Sequence, residues 1–307
     1  MSLLSIVIPV YNEGPPLKLL CTEIERALKG HFELFEIILV DDRSTDDSWT
    51  VMLELAKSNE KIKIVRLSRN FGQHSALTAG MSLCQGNYVV LMDCDGQDDP
   101  AYILPMYQTL VDKRCQIVYA KRKNKKHGFL KRTASSLLNS IMEFLSGNKY
   151  DPEIGTYRIM NKFVIDAYLS MSEKKRYIAG MFYWLNFEYA TFAVEHQGRV
   201  SGSSTYNPLK LLKLARLGIL NSSTKLLSLA TYVGLISSLL SVFISVYFFY
   251  LKVFYNVPLG FTAIIVSVLF VGSIIMLLLG IIGEYLREIF DEVKARPNFI
   301  IEERHNF

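Results

Sequence analysis

The stretch Val89-Val90-Leu91-Met92-Asp93-Cys94-Asp95-Gly96-Gln97 decides the fold. A run of apolar, β-prone residues climbs out of Asn87-Tyr88 and ends on two aspartates one residue apart. A short continuous apolar run of this kind reads as a buried strand of a parallel sheet. In open α/β sheets ligands bind beyond the carboxyl ends of the strands, which is where Asp93 and Asp95 fall. Two hard carboxylates, with the amide oxygen of Gln97 close by, suit an oxygen-liganded divalent ion such as Mg²⁺ or Mn²⁺. A bare Asp-x-Asp is also a common solvated turn, so the remainder of the chain has to decide.

Upstream, Leu4–Glu13 reads as strand one and its exit loop, and Pro15-Pro16 open a helix running to Lys29-Gly30. Strand two, Glu36–Val40, again ends on paired acids, Asp41-Asp42, and Ser44-Thr45-Asp46-Asp47 form an N-cap cluster for the next helix. Strand three, Ile62–Leu67, leads through Ser68-Arg69-Asn70-Phe71-Gly72 into a helix around Ser75–Cys84. Pro100 starts another helix, and Gln116–Ala120 makes a fifth strand. Strands alternating with helices at this spacing predict βαβ units and a mostly parallel sheet with helices on both faces. One rim then collects Tyr11 and Glu13, Asp41 and Asp42, and Asp93 and Asp95, a pattern suited to nucleotide, phosphate and metal. No Gly-x-Gly-x-x-Gly follows strand one and no Gly-Lys-Ser/Thr loop occurs, which argues against a dinucleotide fold and a P-loop ATPase.

Directly after strand five, Lys121–Arg132 carries seven Lys or Arg residues in twelve. Such runs are commonly solvated, but the position directly after strand five on the same rim points this segment towards a phosphate. Gly155-Thr156-Tyr157-Arg158-Ile159 is a short strand-like segment, followed by a helix through Met171 and a strand around Phe192–Gln197.

Half of the 307 residues are hydrophobic and the mean hydropathy is +0.21, which points to membrane spans. The net charge of +5 is too mild for a nucleic-acid binder. Cys21, Cys84, Cys94 and Cys115 lack metal-type spacing and read as reduced thiols facing the cytoplasm, and the N-terminus shows no signal peptide. Lys252 is the only charge between Lys225 and Glu284, and Asn256–Gly260 breaks the run. Each half is long enough to cross a bilayer. Lys210, Lys213, Arg216 and Lys225 precede the first span, and Arg287, Lys294 and Arg296 follow the second, so both termini are expected in the cytoplasm. Pro208–Asn221 and Glu284–Arg296 read as amphipathic helices at the interface.

Val7-Ile8-Pro9-Val10-Tyr11-Asn12-Glu13, Val40-Asp41-Asp42-Arg43-Ser44-Thr45-Asp46 and Met92-Asp93-Cys94-Asp95-Gly96-Gln97 resemble the three N-terminal signatures of family-2 glycosyltransferases with the GT-A fold. With the membrane half, nearly the whole chain resembles the polyprenyl-phosphate glycosyltransferases, including dolichyl-phosphate mannose synthase and, more closely, the bacterial bactoprenol glucosyltransferases. Its distal marks are Arg199 with Gly202-x-Ser204-x-Tyr206, and Gly283-Glu284-Tyr285-Leu286 leading to Arg296-Pro297. The resemblance implies a cytoplasmic catalytic domain over 1–206, a juxtamembrane helix over 207–225, two spans within 226–283 (about 226–251 and 261–283) and a cytoplasmic amphipathic segment over 284–307, all in the inner membrane. It implies that Pro9, Tyr11, Glu13, Asp41 and Asp42 hold a UDP-sugar, and that Asp93, Asp95 and Gln97 hold the metal. Arg122, Lys131, Arg132, Arg199 and Ser204 are then expected on the polyprenyl phosphate, with Asp93, Asp95, Arg122 and Arg199 catalytic. The expected reaction is inverting transfer of glucose or a related hexose at the cytoplasmic face, for O-antigen or other envelope glycans, with a homo-oligomer left open. Three positions depart from the family: Arg43 replaces a small residue, Thr156 an acid sometimes proposed as a base, and Thr205 a lysine. A processive polysaccharide synthase is the alternative, but its Gln-x-x-Arg-Trp motif is absent. A non-catalytic, membrane-anchored nucleotide-sugar-binding subunit is another, against which the unaltered Asp93 and Asp95 argue.

Overall fold

The computed structural model describes residues 3–123, 153–174, 176–195, 225–255 and 260–307. They fall into two units, a sheet unit drawn from residues 3–195 and 297–307 and a helical unit from residues 225–296. In the sheet unit β1 (Leu4–Val10), α1 (Gly14–Leu28), β2 (Phe35–Asp41), α2 (Ser48–Ser58), β3 (Ile62–Leu67), α3 (Gln73–Leu83) and β4 (Tyr88–Leu91) alternate as the spacing predicts. A 3₁₀ turn, Pro100–Tyr102, leads into α4 (Ile103–Asp112) and β5 (Ile117–Lys123). Then come β6 (Ile154–Asn161), α5 (Lys162–Ser170), α6 (Ile178–Leu185) and β7 (Tyr189–Glu195). The helical unit holds α7 (Lys225–Tyr255) and α8 (Phe261–Val293), after which β8 (Ile301–His305) closes the chain back in the sheet unit.

The strands lie in the order β7-β5-β6-β4-β1-β2-β3-β8. Alternation along each central strand divides the apolar residues between two layers. Leu4, Ile6, Ile8, Ile37, Leu39 and Val90 share one core with Leu17 of α1, Met52 of α2 and Met106 of α4. Val7, Ile38, Val40 and Leu91 share the other with Leu77 of α3, Tyr168 of α5 and Phe182 of α6. The four cysteines are buried and free, and burial pushes Cys21 up to about 12 and Cys84 up to about 11, which leaves both as inert thiols.

The pairing of β1 with β4 stops early. It runs only from Leu4↔Tyr88 to Val7↔Leu91, and the backbone N–H of Met92 makes one more bond, to the Val7 carbonyl at 3.3 Å. On the other side β1 stays paired with β2 to Val10↔Asp41. Backbone groups of alternate residues face the same neighbour, so the N–H that Pro9 lacks would have faced β4 where the ladder has already ended. A proline is tolerated there, although it would break a ladder in mid-sheet.

Two strands differ from the sequence expectation. β6 inserts antiparallel between β4 and β5, so β5 is not a neighbour of β4, and β5 instead pairs in parallel with β7. The mostly parallel reading holds for β1 to β4 and for β5 with β7. At the other edge, residues 284–307 do not form one amphipathic segment. The helix stops at Val293, Ala295 turns into left-handed geometry (φ +49°), and Ile301–His305 pairs antiparallel with β3. Phe299 and Ile301 pack against the core there, and the strand covers an otherwise open sheet edge.

In the helical unit α7 and α8 approach where Gly234 meets Leu278. Among the described residues one helical segment, Phe270–Val293, is long and apolar enough to cross a membrane by length and composition, and Ala230–Ile244 is a shorter apolar stretch. The two-span expectation is therefore met for one segment. The expected juxtamembrane helix lies, except for Lys225 at the start of α7, outside the described residues.

Gly80 lets α3 sit directly on the sheet: a Cβ there would lie 2.3 Å from Cγ1 of Val7 and 3.1 Å from Cγ2 of Val40. Both valines belong to strands that frame the cleft, so neither can yield freely. Gly80→Ala is expected to destabilise the sheet unit by about 1–3 kcal/mol through overpacking. Thermal unfolding of the detergent-solubilised protein should record this as a drop of several degrees in Tm.

Candidate active site

Beyond Leu91 the chain folds into a tight turn that presents its acids in two layers. Asp93 and Asp95 are half-buried at the surface of a cleft, whereas Asp98 is buried beneath them. The carboxylate of Asp98 accepts the backbone N–H of Asp93 at 3.0 Å, and that of Asp95 accepts the backbone N–H of Gln97 at 3.1 Å. Gly96 takes the left-handed corner of this turn (φ +76°). Burial, and then the charge of Asp95, holds Asp93 above the ordinary carboxylate range. Arg122, a 2.7 Å hydrogen bond from Nε2 of Gln73, and Arg158 oppose that rise. Asp98 is raised too, by burial and then by Asp93. Acids crowded in this way favour a cation among them.

The cleft has a volume of about 370 Å³ and is lined by Pro9, Val10, Tyr11, Glu13, Asp42, Asn70, Gly72, Gln73, Asp93, Cys94 and Asp95. Its floor is the gap left where β1 and β4 part. Its far wall is made from three loops that hold one another. The backbone N–H of Asn12 donates to Oγ of Ser44 at 3.0 Å, and that of Thr45 donates to Oδ1 of Asn12 at 2.8 Å. The backbone N–H of Glu13 donates to Oγ of Ser48 at 3.0 Å. Asn12 and Arg43 both adopt positive φ, +57° and +64°, to make these crossings.

The acid pair of β2 is divided by the pleat. Asp42 opens onto the cleft, and its two carboxylate oxygens accept the backbone N–H groups of Phe71 at 2.7 Å and Gly72 at 2.8 Å. Burial raises Asp42 despite these two bonds, which act downward. Asp41 does not line the cleft. It is fully buried, lies 3.2 Å from Nε of Arg66 and accepts the backbone N–H of Ser44 at 2.9 Å, so it shapes the loop from behind.

Gln97 and Arg122 line a separate small cavity of about 10 Å³ with Asp98, Gly155 and Tyr157. The Arg122 guanidinium rests against Gly155, where a Cβ would stand 3.1 Å from Nη2, and its charge reaches both Asp93 and Asp98. Lys131, Arg132, Arg199 and Ser204 lie outside the described residues. Pro9, Tyr11, Glu13, Asp42, Asp93 and Asp95 thus come together around one cleft, and Arg122 stands close to its acidic end.

Sequence reasoning missed Gln73, Asp98 and Arg158. Asp98 was legible as a third acid in Asp93–Asp98, but its burial was not. Arg158 is buried on β6 opposite Leu91, donates to the carbonyls of Thr156 and Gly155 at 2.9 Å each, and lies over the rings of Tyr119 and Phe182. Continuing the β4–β6 register by two residues brings Thr156 level with Asp93. That neighbourhood depends on an antiparallel insertion that the local sequence does not announce.

The donor set fits a divalent ion in one respect. Two half-buried carboxylates that repel each other at a cleft suit an oxygen-seeking cation that completes its shell with water and phosphate. Among the described residues, no group of three or more His, Cys, Asp or Glu side chains is arranged as a metal cage.

An open α/β sheet with acids at its strand ends, bordered by antiparallel strands, is the architecture of the GT-A fold. The chain belongs to glycosyl transferase family 2, whose profile matches residues 5–169, and it is a glycosyltransferase. It is 32% identical over 304 residues to an undecaprenyl-phosphate 4-deoxy-4-formamido-L-arabinose transferase of Pseudomonas savastanoi pv. phaseolicola, covering 97% of this chain and 89% of that protein. It is 29% identical over 304 residues to a prophage-derived bactoprenol glucosyl transferase of Shigella flexneri, covering 98% of each. The fold is similar to that of glucosyl-3-phosphoglycerate synthase from Mycobacterium tuberculosis in complex with Mn²⁺, UDP and glucosyl-3-phosphoglycerate. The TM-score is 0.51 at 15% identity, covering 71% of this chain and 78% of that one.

Asp42 ties the β2–α2 loop to the β3–α3 loop, one carboxylate oxygen accepting each N–H group. In Asp42→Asn the amide nitrogen faces one of these donors. Loss of a charge-assisted bond predicts a destabilisation of about 1.5–3 kcal/mol. Thermal unfolding should register it, and amide hydrogen exchange should accelerate at residues 70–73.

Proposed function

We propose that the enzyme transfers a sugar, glucose or a related hexose, from a UDP-sugar to polyprenyl phosphate, with inversion at the anomeric carbon. The observation that carries this reading is the union of two features in one chain. Asp42, Asp93 and Asp95 border a cleft sized for a small ligand, and a segment long enough to cross a membrane follows the catalytic unit. The names of the two relatives, one for undecaprenyl phosphate and one for bactoprenol, support the lipid acceptor.

In this reading Asp42, Tyr11 and Glu13 orient the nucleotide, and Asp93 and Asp95, with Gln97 behind them, would hold Mg²⁺ or Mn²⁺. When bound, such an ion supplies charge neutralisation for the departing diphosphate. An oxygen of the lipid phosphate forms the new bond to the anomeric carbon as the bond from that carbon to the diphosphate breaks, and UDP leaves. The acceptor needs little help from a base. Its second pKa is about 6, so most of it is already a dianion at neutral pH. This accounts for Thr156 at a position where the family often carries an acid. Arg122 fits a clamp on the acceptor phosphate, since a guanidinium beside the acidic turn offers two parallel donors. Lys131, Arg132, Arg199 and Ser204 are proposed to complete it.

The membrane half is read as a two-span hairpin with both termini in the cytoplasm. The large apolar side chains of α7, among them Ile236, Val242, Phe243 and Val246, are exposed, as are Val268, Met276 and Leu279 of α8. Exposed apolar surface over that length calls for a bilayer or a partner. Lys and Arg flank the outer ends of both helices, which supports the orientation.

Two measurements test this. Membranes incubated with a panel of labelled UDP- and GDP-sugars and undecaprenyl phosphate should yield one labelled glycosyl lipid. Asp95→Asn should lower its formation by at least about a hundredfold without loss of folded protein. A panel in which no lipid is labelled, or an Asp95→Asn variant with full activity, would overturn the assignment. A cysteine introduced at Asn256 should react with an impermeant thiol reagent on intact cells, against a quiet background from the four buried native thiols. Labelling only after permeabilisation would reverse the orientation.

A further inference from the structure

The C-terminal strand does more than close a sheet edge. Its register with β3 runs His305↔Ile64, Arg304↔Val65 and Glu303↔Arg66, then jumps to Ile301↔Leu67. Glu302 is therefore the extra residue of a β-bulge, a device that re-aims a side chain out of the regular alternation. The bulge directs the Glu302 carboxylate to Nη1 of Arg43, with which it forms an ion pair and hydrogen bond.

Arg43 is the residue immediately after Asp42 and stands at φ +64°, a conformation that an L-residue adopts at some cost. Two residues before the bulge, the carbonyl of Ile300 accepts the backbone N–H of Ser68 at 2.9 Å, at the start of the loop that carries Asn70 and Gly72. The tail thus grips both loops that Asp42 joins, one through Glu302 and Arg43, the other through Ile300 and Ser68. Asp42, Asn70 and Gly72 all line the cleft.

We propose that Glu302 is a positioning residue for the nucleotide: its bulge holds Arg43, and through it Asp42, in the geometry that receives the donor. The C-terminal tail is then part of the donor pocket, although it follows the last long helix and lies more than 250 residues from Asp42 in sequence. This rests on the reading of the cleft as a donor site.

The test compares Glu302→Ala with a variant that loosens the tail elsewhere. Nδ2 of Asn306 donates to the carbonyls of Ala56 and Ile62, both at 2.8 Å, away from the Arg43 loop. Full-length enzyme in detergent is titrated with UDP, and sugar transfer is measured against donor concentration. Glu302→Ala should weaken UDP binding and raise the donor KM by about three- to fivefold, the range of a part-exposed ion pair, with kcat near wild type. Asn306→Ala should lower Tm while leaving both donor constants within about twofold. Arg43→Glu combined with Glu302→Arg should recover most of the lost affinity. A Glu302→Ala enzyme that binds UDP as tightly as wild type overturns the proposal. So does an Asn306→Ala enzyme that loses donor affinity equally, since the tail would then act only through stability. Failure of wild type to bind UDP at all overturns the donor reading, and this inference with it.

Discussion

The cleft exists because β1 and β4 stop pairing at Val7 and Leu91 while β1 remains bonded to β2 for three more residues. Parallel strands held on one side and released on the other diverge, and Pro9, Val10, Asp93, Cys94 and Asp95 line the cleft at the gap between them. Pro9 sits at the point of release, where its missing N–H costs no ladder bond. Asp93 and Asp95 follow directly on the other side. Their position is set less by any hydrogen bond of their own than by where the ladder ends.

Around that gap the acids are sorted by solvation. Asp93 and Asp95 remain half-buried at the surface, Asp98 is buried and spends its carboxylate on the Asp93 backbone, and Asp41 is buried against Arg66. Asp42 is nearly as buried but carries two backbone donors on its oxygens. A buried carboxylate is tolerable only when hydrogen-bonded or paired. Asp41 and Asp98 meet those conditions away from the cleft and build the loops, whereas Asp42, Asp93 and Asp95 also line the cleft. Arg158 and Arg122 supply positive charge from β6 and β5, which limits how far repulsion raises Asp93.

Both additions to the parallel core serve this arrangement. Antiparallel β6 brings Arg158 and Thr156 alongside the end of β4, and antiparallel β8 borders the loops on the opposite side of the cleft. Trp49 links the second of these to the core, lying under the Arg66 guanidinium on one side and near the His305 ring on the other. The parallel strands thus create the opening, and the antiparallel ones brace the loops around it.

The amino-acid sequence alone determined the βαβ order from β1 to β4, because continuous apolar runs, prolines at helix starts and acids at strand ends are local signals. It also determined the family, through motifs at Pro9–Glu13, Asp41–Asp42 and Asp93–Gln97, and the two long charge-free runs. Asp41 and Asp42 looked equivalent as neighbours in the chain, and only the pleat decided that one is buried and the other opens on the cleft. Register, burial and strand insertion arise from contacts between residues far apart in sequence. For that reason Arg158 beside Asp93, Asp98 beneath it, and a C-terminal strand whose bulge points Glu302 at Arg43 were decided by the tertiary structure.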